Sequence, residues 1–150
     1  MIVTFDTNVL VYASAAGYDA KTARANELFA RGMHAPACLL LLQTLAEFAR
    51  VTIGKAMIPA ANVRAIVAAW GAVLPVHPAA PDDLLAAIEA VRAHRLAFRD
   101  AMMWATARRV GVRFLLTEDM QDGFALDGVR FVNPFVPGND DLIEEFLPPV

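Results

Sequence analysis

Four acidic side chains stand where carboxylates are costly, at the ends of apolar segments or inside them. Asp6 follows MIVTF, Glu47 lies within LLQTLAEFARV, Asp100 precedes AMMWATARRV, and Asp119 comes just after RFLLT. A carboxylate beside apolar surface loses hydration that something else must replace. Two of them ~5 Å apart repel by roughly 3 kcal/mol at an effective dielectric of about 20. If the fold gathers all four, a divalent cation is the natural compensation. The chemistry that fits such a site is metal-dependent cleavage of a phosphodiester bond.

Each acid also has a plainer reading. Asp6 precedes Thr7 and Asn8 and reads equally as a helix cap. Glu47 reads as part of a solvated helix face, although Leu42, Leu45, Ala46 and Ala49 leave little polar face around it. Asp100 could cap a helix or pair with Arg99, and Glu118 and Asp119 could be turn residues. Basic residues placed to meet a polyanion near the acids are Arg50, Lys55, Arg99, Arg108 and Arg109. Solvated helix faces account for these as well.

The elements that must position the acids alternate. IVTF reads as a short buried strand. A helix is expected over 8–16, capped by Thr7 or Asn8, and a second after Asp19, stopped by Gly32. MHAPA reads as a brief strand. Residues 38–53 read as one helix ended by Gly54, and Pro59 suits the first turn of a helix closing near Gly71. AVLPVHP reads as a strand, and Asp82 or Asp83 caps LLAAIEAVRAHRL. A helix over about 99–110 ends at Gly111. VRFLLT is a strand, EDMQDGF a turn and VRFVN another strand. DDLIEEFL is a short helix or a loosely held arm. This alternation predicts an α/β/α layered domain with a mainly parallel sheet. Such sheets bind ligands beyond the carboxyl ends of their strands, where Asp6 and Asp119 both fall.

The bulk numbers agree with one domain: 150 residues, 57% of them hydrophobic. Apolar runs such as ACLLLL fall far short of the ~20 residues of a membrane span, and MIVTF lacks the basic start of a signal peptide. A soluble, cytoplasmic protein is expected, with no membrane partner. The lone Cys38 excludes an intramolecular disulfide, does not suggest a zinc site, and reads as a buried thiol. A net charge of −3 argues against a broadly basic nucleic-acid binder but leaves room for a local patch.

Four strings occur in order at suitable spacing: FDTNVLVY, QTLAEF, FRDAMMWATARRVG and FLLTEDMQDG. Together they resemble a PIN domain, most closely the VapC-type ribonuclease toxins of bacterial toxin–antitoxin modules. The likeness runs from Ile2 to about Pro134. It implies a three-layer α/β/α sandwich with a four- or five-stranded mainly parallel sheet over 1–136, followed by a tail over 137–150. By this resemblance Asp6, Glu47, Asp100 and Asp119 are the catalytic acids and the ligands of Mg2+ or Mn2+. Thr7 and Thr117 lie near the metal, and Asn8 holds the first loop. Asp122 is an outer acid or a turn residue. The family usually carries an aromatic residue just before the third acid, where this chain has Arg99 after Phe98; Arg99 could contact a phosphate or pair with a neighbouring acid. Arg99 and Arg50, the latter one helical turn beyond Glu47, are candidate RNA contacts.

The implied activity is endoribonuclease, with Asp6→Asn expected to lose cleavage and keep its fold. The implied partners are an RNA substrate, a cognate antitoxin and a second copy of the chain, with the apolar stretches 39–45 and 58–70 as candidate surfaces. The competing reading is a catalytically inactive PIN-like module that binds RNA or protein. A receiver-like phosphotransfer domain fits poorly, because the only lysines are Lys21 and Lys55.

Overall fold

In the computed structural model, which describes residues 1–150, strand β1 (Ile2–Phe5) lies at the centre and the other elements are arranged about it. On one side β1 pairs in parallel with β4 (Val112–Leu116), and β4 pairs in parallel with β6 (Val129–Val132). Strand β5 (Ala125–Leu126) closes that edge antiparallel to β6. On the other side lie β2 (Leu40–Leu41) and β3 (Val76–His77), a parallel pair. A bridge between Val3 and Cys38 ties this pair to β1. There Val3 N–H donates to the Ala37 carbonyl at 2.9 Å and Leu39 N–H to the Val3 carbonyl at 3.1 Å.

Helices α1 (Thr7–Ser14), α2 (Ala20–His34), α3 (Leu42–Gly54) and α4 (Ala60–Val73) cover one face. Helices α5 (Pro81–His94) and α6 (Phe98–Arg109) cover the other. The period-2 alternation of the strands sorts the core. Phe5, Leu40, Leu116 and Val132 face α1–α4, while Leu41, Leu115 and Phe131 face α5 and α6. The expected three-layer α/β/α architecture is the one observed, with four strands in the main sheet. No helix is long and apolar enough to cross a membrane.

The first core is built on a run of rings, Phe5–Phe29–Trp70–Phe48, with centroids 5.4, 4.7 and 5.0 Å apart. Such pairs add ~0.5–1.5 kcal/mol each beyond the area they bury. Gly32 was expected to stop a helix, yet α2 continues to His34. Its role is close approach: a Cβ there would stand 3.0 Å from the Phe5 ring and 3.1 Å from the Cys38 sulfur.

Other boundaries move for physical reasons. Residues 38–41 are extended rather than helical, and MHAPA holds the end of α2 instead of a strand. A short apolar run such as CLLLL reads as either element, and pairing with β1 and β3 on a sheet buried on both faces decides for strand. Pro59 is the residue before α4 rather than inside its first turn, and α4 passes through Gly71. Strand β5 was not expected, although Asp127-Gly128 announces it. Both residues have positive φ, 45° and 83°, as a two-residue type I′ hairpin requires.

The final segment is a helix, α7 (Asp140–Phe146), after a 3₁₀ turn at Pro137–Asn139. Ile143, Phe146 and Leu147 are buried in the first core. Asp122 is a loop fastener, accepting from Asn133 N–H at 2.8 Å and from the Asn139 amide at 3.0 Å.

One buried acid on the second face is structural. Asp83, in the first turn of α5, accepts from Ala80 N–H at 2.8 Å, Arg109 Nε at 2.9 Å and Thr106 Oγ1 at 3.1 Å. It thereby clamps α5 to α6. Burial pushes its carboxyl pKa up, but the bonds from Arg109, Ala80 N–H and Thr106 outweigh that and hold it below the ordinary value. Asp83→Ala should cost about 2–3 kcal/mol in urea unfolding at neutral pH. A lowered folded-state pKa gives stability that is present above the unfolded carboxylate value and lost as pH falls through the folded one. The gap between wild type and variant should therefore narrow below about pH 4. A gap that stays constant with pH would remove the ionised Asp83 clamp from the account.

Candidate active site

The carboxyl ends of β1 and β4 lie side by side, with Phe5 opposite Leu116. Asp6 and Thr117 are the next residues, so both enter one edge of the sheet. Asp6 is fully buried. Its Oδ1 accepts from Thr7 N–H at 2.6 Å, capping α1, and its Oδ2 accepts from Thr117 Oγ1 at 2.7 Å. The cap reading and the site reading of Asp6 hold together: the same carboxylate does both. Helix α1 leaves from this edge with Asn8 in its first turn. The Asn8 amide donates to Asp119 Oδ2 at 3.0 Å and to Thr117 Oγ1 at 3.3 Å. Asn8 was expected to shape the first loop; here it also reaches across to orient the acid beyond β4.

Glu47 arrives from α3, which starts directly after β2. Thr7 Oγ1 donates to Glu47 Oε2 at 2.9 Å. Asp100 arrives from the first turn of α6, on the opposite face of the sheet. The four acids thus come from both helical layers and from the sheet edge between them. Thr7, Asn8, Glu47, Arg99, Asp100 and Asp119 line one cleft of about 530 Å³, completed by Val11, Tyr12, Val51 and Lys55.

The centre of the cluster is a residue that the acids alone did not announce. The Arg99 guanidinium donates from Nε to Glu47 Oε2 at 2.7 Å, from Nη2 to Asp6 Oδ1 at 2.6 Å, and from Nη1 to Asp100 Oδ1 at 2.8 Å. Its backbone carbonyl accepts from Gln43 Nε2 at 3.0 Å. Gln43 was not singled out beforehand; it lies one helical turn before Glu47 on α3, and that i, i+4 spacing in QTLAEF is the signal that could have found it.

Electrostatics follow from this packing. Burial raises the Glu47 carboxyl, but the bonds from Arg99 and Thr7 outweigh it and leave the pKa lowered. Asp100 goes the other way. Burial raises it, the Arg99 bond and charge oppose, and the charges of Asp6 and Asp119 raise it further; the net shift is upward.

No three carboxylates approach closely enough to share an ion as they stand, because the guanidinium lies between them. The donor set itself suits a hard cation: carboxylate oxygens flanked by the Thr7 and Thr117 hydroxyls, with no thiol or imidazole in the cleft.

The flanking cations sort differently from expectation. Arg50 is exposed and lies 3.7 Å from Glu47 Oε1, and Lys55 lines the cleft. Arg108 and Arg109 do not flank the site. They sit at the far end of α6, about 13 Å along the helix from Asp100, where Arg108 pairs with Asp127 and Arg109 with Asp83. Two turns of helix carry a residue away from the edge that the first turn occupies. Also unforeseen were the contacts beside Tyr12, where Glu118 accepts from Tyr12 at 2.8 Å and from Lys21 at 2.7 Å.

The comparisons with known proteins agree with this fold. No curated protein sequence matches the chain. Among solved structures, VapC20 of Mycobacterium tuberculosis, described as a sarcin–ricin loop cleaving toxin, superposes with a TM-score of 0.62 at 23% identity, over 75% of this chain and 86% of that one. A chain of a toxin–antitoxin complex from Klebsiella pneumoniae gives 0.65 at 19% identity, over 88% and 97%. A chain of VapBC2 from Rickettsia felis, bound to a DNA fragment from its promoter, gives 0.62 at 14%, over 87% and 97%. At these identities the likeness is one of fold. The sequence match is more specific: the family model for the PIN domain covers residues 3–124, which take in all four acids, and the chain belongs to that family.

Proposed function

We propose that this protein is a metal-dependent endoribonuclease and the toxin of a toxin–antitoxin pair. The observation that carries the reading is the convergence of Glu47, Asp100 and Asp119 on one open cleft at the carboxyl edge of the sheet, with Asp6 buried directly behind it against Thr7 and Arg99. Asp6, Asp100 and Asp119 would hold Mg2+ or Mn2+, with Glu47 beside them to help hold it or to orient the attacking water. A divalent ion bound there supplies Lewis-acid activation of water and neutralises charge developing on the phosphate. Thr117 and Thr7 fix the carboxylates of Asp6 and Glu47 by donating to them, and Asn8 fixes Asp119 in the same way. Lys55 and Arg50 on the α3 side give the cleft positive charge toward a phosphate backbone.

RNA as substrate is supported by the neighbour described as cleaving the sarcin–ricin loop. An antitoxin partner is supported by the neighbour solved as a toxin–antitoxin complex.

For self-association the expected surfaces are partly taken up by the core, while Leu42 and the half-buried Ile58, Ile66, Val67 and Trp70 keep exposed area. In the stretch 39–45, Leu39, Leu40, Leu41 and Leu45 are core, because this stretch is a central strand and the buried face of α3. In 58–70, Val63 is buried, and Ile58, Ile66, Val67 and Trp70 pack on the first core. Leu84, Leu85 and Ile88 on α5 form a further exposed apolar row that fits a second copy of the chain.

Metal removal tests the activity. Purified protein, freed of any antitoxin, should cut at least one RNA of a panel of transfer, ribosomal and messenger RNAs with Mg2+ or Mn2+. Cutting should stop in EDTA and return when the ion is restored. Cutting that survives EDTA would remove the metal from the reading. RNA binding without cutting under any condition would favour the inactive binding module.

A further inference from the structure

Arg99 is a permanent cation inside a cluster of acids. Its guanidinium stays protonated at any working pH, so the charge cannot be titrated away. Three of the four acids are bonded to it at once. Nε donates to Glu47 Oε2 at 2.7 Å, Nη1 to Asp100 Oδ1 at 2.8 Å and Nη2 to Asp6 Oδ1 at 2.6 Å. A further bond runs from Nη2 to Thr7 Oγ1 at 3.2 Å. The three acids come from the end of β1, from α3 and from α6, and the guanidinium bonds all of them evenly.

With the guanidinium in place, no three carboxylates form a group that could hold an ion. An ion pushed among these acids would stand within a few ångströms of a fixed positive charge, and that interaction is repulsive at any protein dielectric. The two arrangements therefore exclude each other: either the guanidinium lies between the acids or a divalent ion does. The side chain is free to leave. A third of it is exposed, and it opens onto the cleft. Its main chain stays fixed in the first turn of α6, where the Arg99 carbonyl accepts from Gln43 Nε2 at 3.0 Å. Movement is thus confined to the side-chain torsions.

We propose that Arg99 is a displaceable internal counter-ion: it neutralises Asp6, Glu47 and Asp100 while no metal is bound, and a divalent ion enters only as the guanidinium swings out of the cluster. The inference rests on the metal-nuclease reading above and deepens it, because the acids become an ion site only in the second arrangement. Arg99 acts on the ion through the acids and is a positioning residue, not a ligand. Without an ion it stabilises the fold by meeting three charges; once an ion competes for the same oxygens, its charge opposes binding.

Mn2+ affinity, measured by calorimetry and by the electron paramagnetic resonance signal of the free ion, tests this without reference to cleavage. Arg99→Gln should bind Mn2+ at least about tenfold more tightly than wild type. Arg50→Gln removes a cation 3.7 Å from Glu47 that does not lie between the acids, and it should change the affinity far less. In EDTA the Arg99→Gln protein should melt below wild type, and saturating Mn2+ should raise its midpoint by more than it raises the wild-type one. A nuclear magnetic resonance titration of wild type decides the matter if Arg99→Gln does not fold. The Arg99 Nε–H signal should be protected from solvent exchange in EDTA and should lose that protection at the Mg2+ concentration that supports cutting. Arg99→Gln binding no more tightly than wild type would overturn the proposal. So would equal gains in Arg99→Gln and Arg50→Gln, or an Nε–H signal that Mg2+ leaves unmoved. The nuclease reading stands through any of those results as long as cutting needs the ion. If no ion supports cutting by wild type, that reading falls, and the role of Arg99 as a stand-in for the ion falls with it.

Discussion

Asp100→Asn should lose RNA cleavage by about 10³-fold, equivalent to about 4 kcal/mol of transition-state stabilisation, and should melt at the same temperature as wild type or higher when both are in EDTA. Both halves come from the surroundings of this carboxylate. Asp100 makes one side-chain hydrogen bond, from Arg99 Nη1 to Oδ1, and an asparagine oxygen can accept the same bond. Burial and the nearby charges of Asp6 and Asp119 hold its pKa above the ordinary value, against the pull of Arg99. A raised folded-state pKa means that the ionised form costs the fold stability at neutral pH. Neutralising the position relieves that cost and removes a ligand charge in the same step. Initial cleavage rates with Mg2+ and calorimetric melting in EDTA measure the two effects. A variant that cuts normally would take Asp100 out of the ligand set. One that loses several degrees in EDTA would make Asp100 a structural acid.

Asp6 cannot give so clean a result. It is fully buried, caps α1, accepts from Thr117 and faces the Arg99 guanidinium. Asp6→Asn keeps the shape but turns one of two fully engaged oxygens into an NH2 that cannot accept from its present donors, and a bond lost at a fully buried position is destabilising. The expectation of an inactive variant with its fold intact, made for Asp6→Asn, is therefore tested more cleanly at Asp100. The two acids look alike in the sequence, each at the edge of an apolar segment. What separates them is the number of protein donors each receives: Asp100 has only its neighbour Arg99, whereas Asp6 adds to the adjacent Thr7 N–H two donors that lie 93 and 111 positions away, Arg99 and Thr117.

The same distinction explains what could be read beforehand. Asp6 and Asp119 were placed correctly because strand ends in a parallel sheet point to one edge, and IVTF and RFLLT are unambiguous strands. Glu47 was placed on the right helix, but the start of that helix was set four residues early. CLLLL satisfies a helix and a buried strand alike, and only the partners β1 and β3 choose between them. Arg99 was visible as a departure beside Asp100, and pairing with a neighbouring acid was one of its two readings. Its simultaneous contact with Asp6 and Glu47 was not legible, because it depends on α3 and α6 meeting over the end of β1. Arg108 and Arg109 were misplaced by counting proximity along the chain rather than along the helix axis.

Ending the chain at residue 136 should abolish cooperative unfolding, although the tail lies beyond the residues that carry the family match. Ile143 and Leu147 are fully buried and Phe146 nearly so. The Phe146 ring stacks on Phe114 of β4, with centroids 4.2 Å apart. Arg31, itself buried, donates to the Leu147 carbonyl at 3.1 Å, and Arg24 bonds Asp140 at 2.8 Å. Deleting large buried side chains costs about 2–5 kcal/mol each. Three of them together approach or exceed the ~5–15 kcal/mol by which a typical domain is stable. The truncated chain would also take the Leu147 carbonyl from Arg31 Nη1, leaving Glu27 as its remaining partner. Loss of a sigmoidal thermal transition by circular dichroism is the expected result, and Phe146→Ala alone should lower the midpoint measurably. A truncated protein that melts cooperatively near the wild-type temperature would show the tail to be an appendage. The effect reaches the cleft through β4: its first face rests on the stacked Phe146 ring, and its last residue, Leu116, leads directly into Thr117, whose hydroxyl holds Asp6.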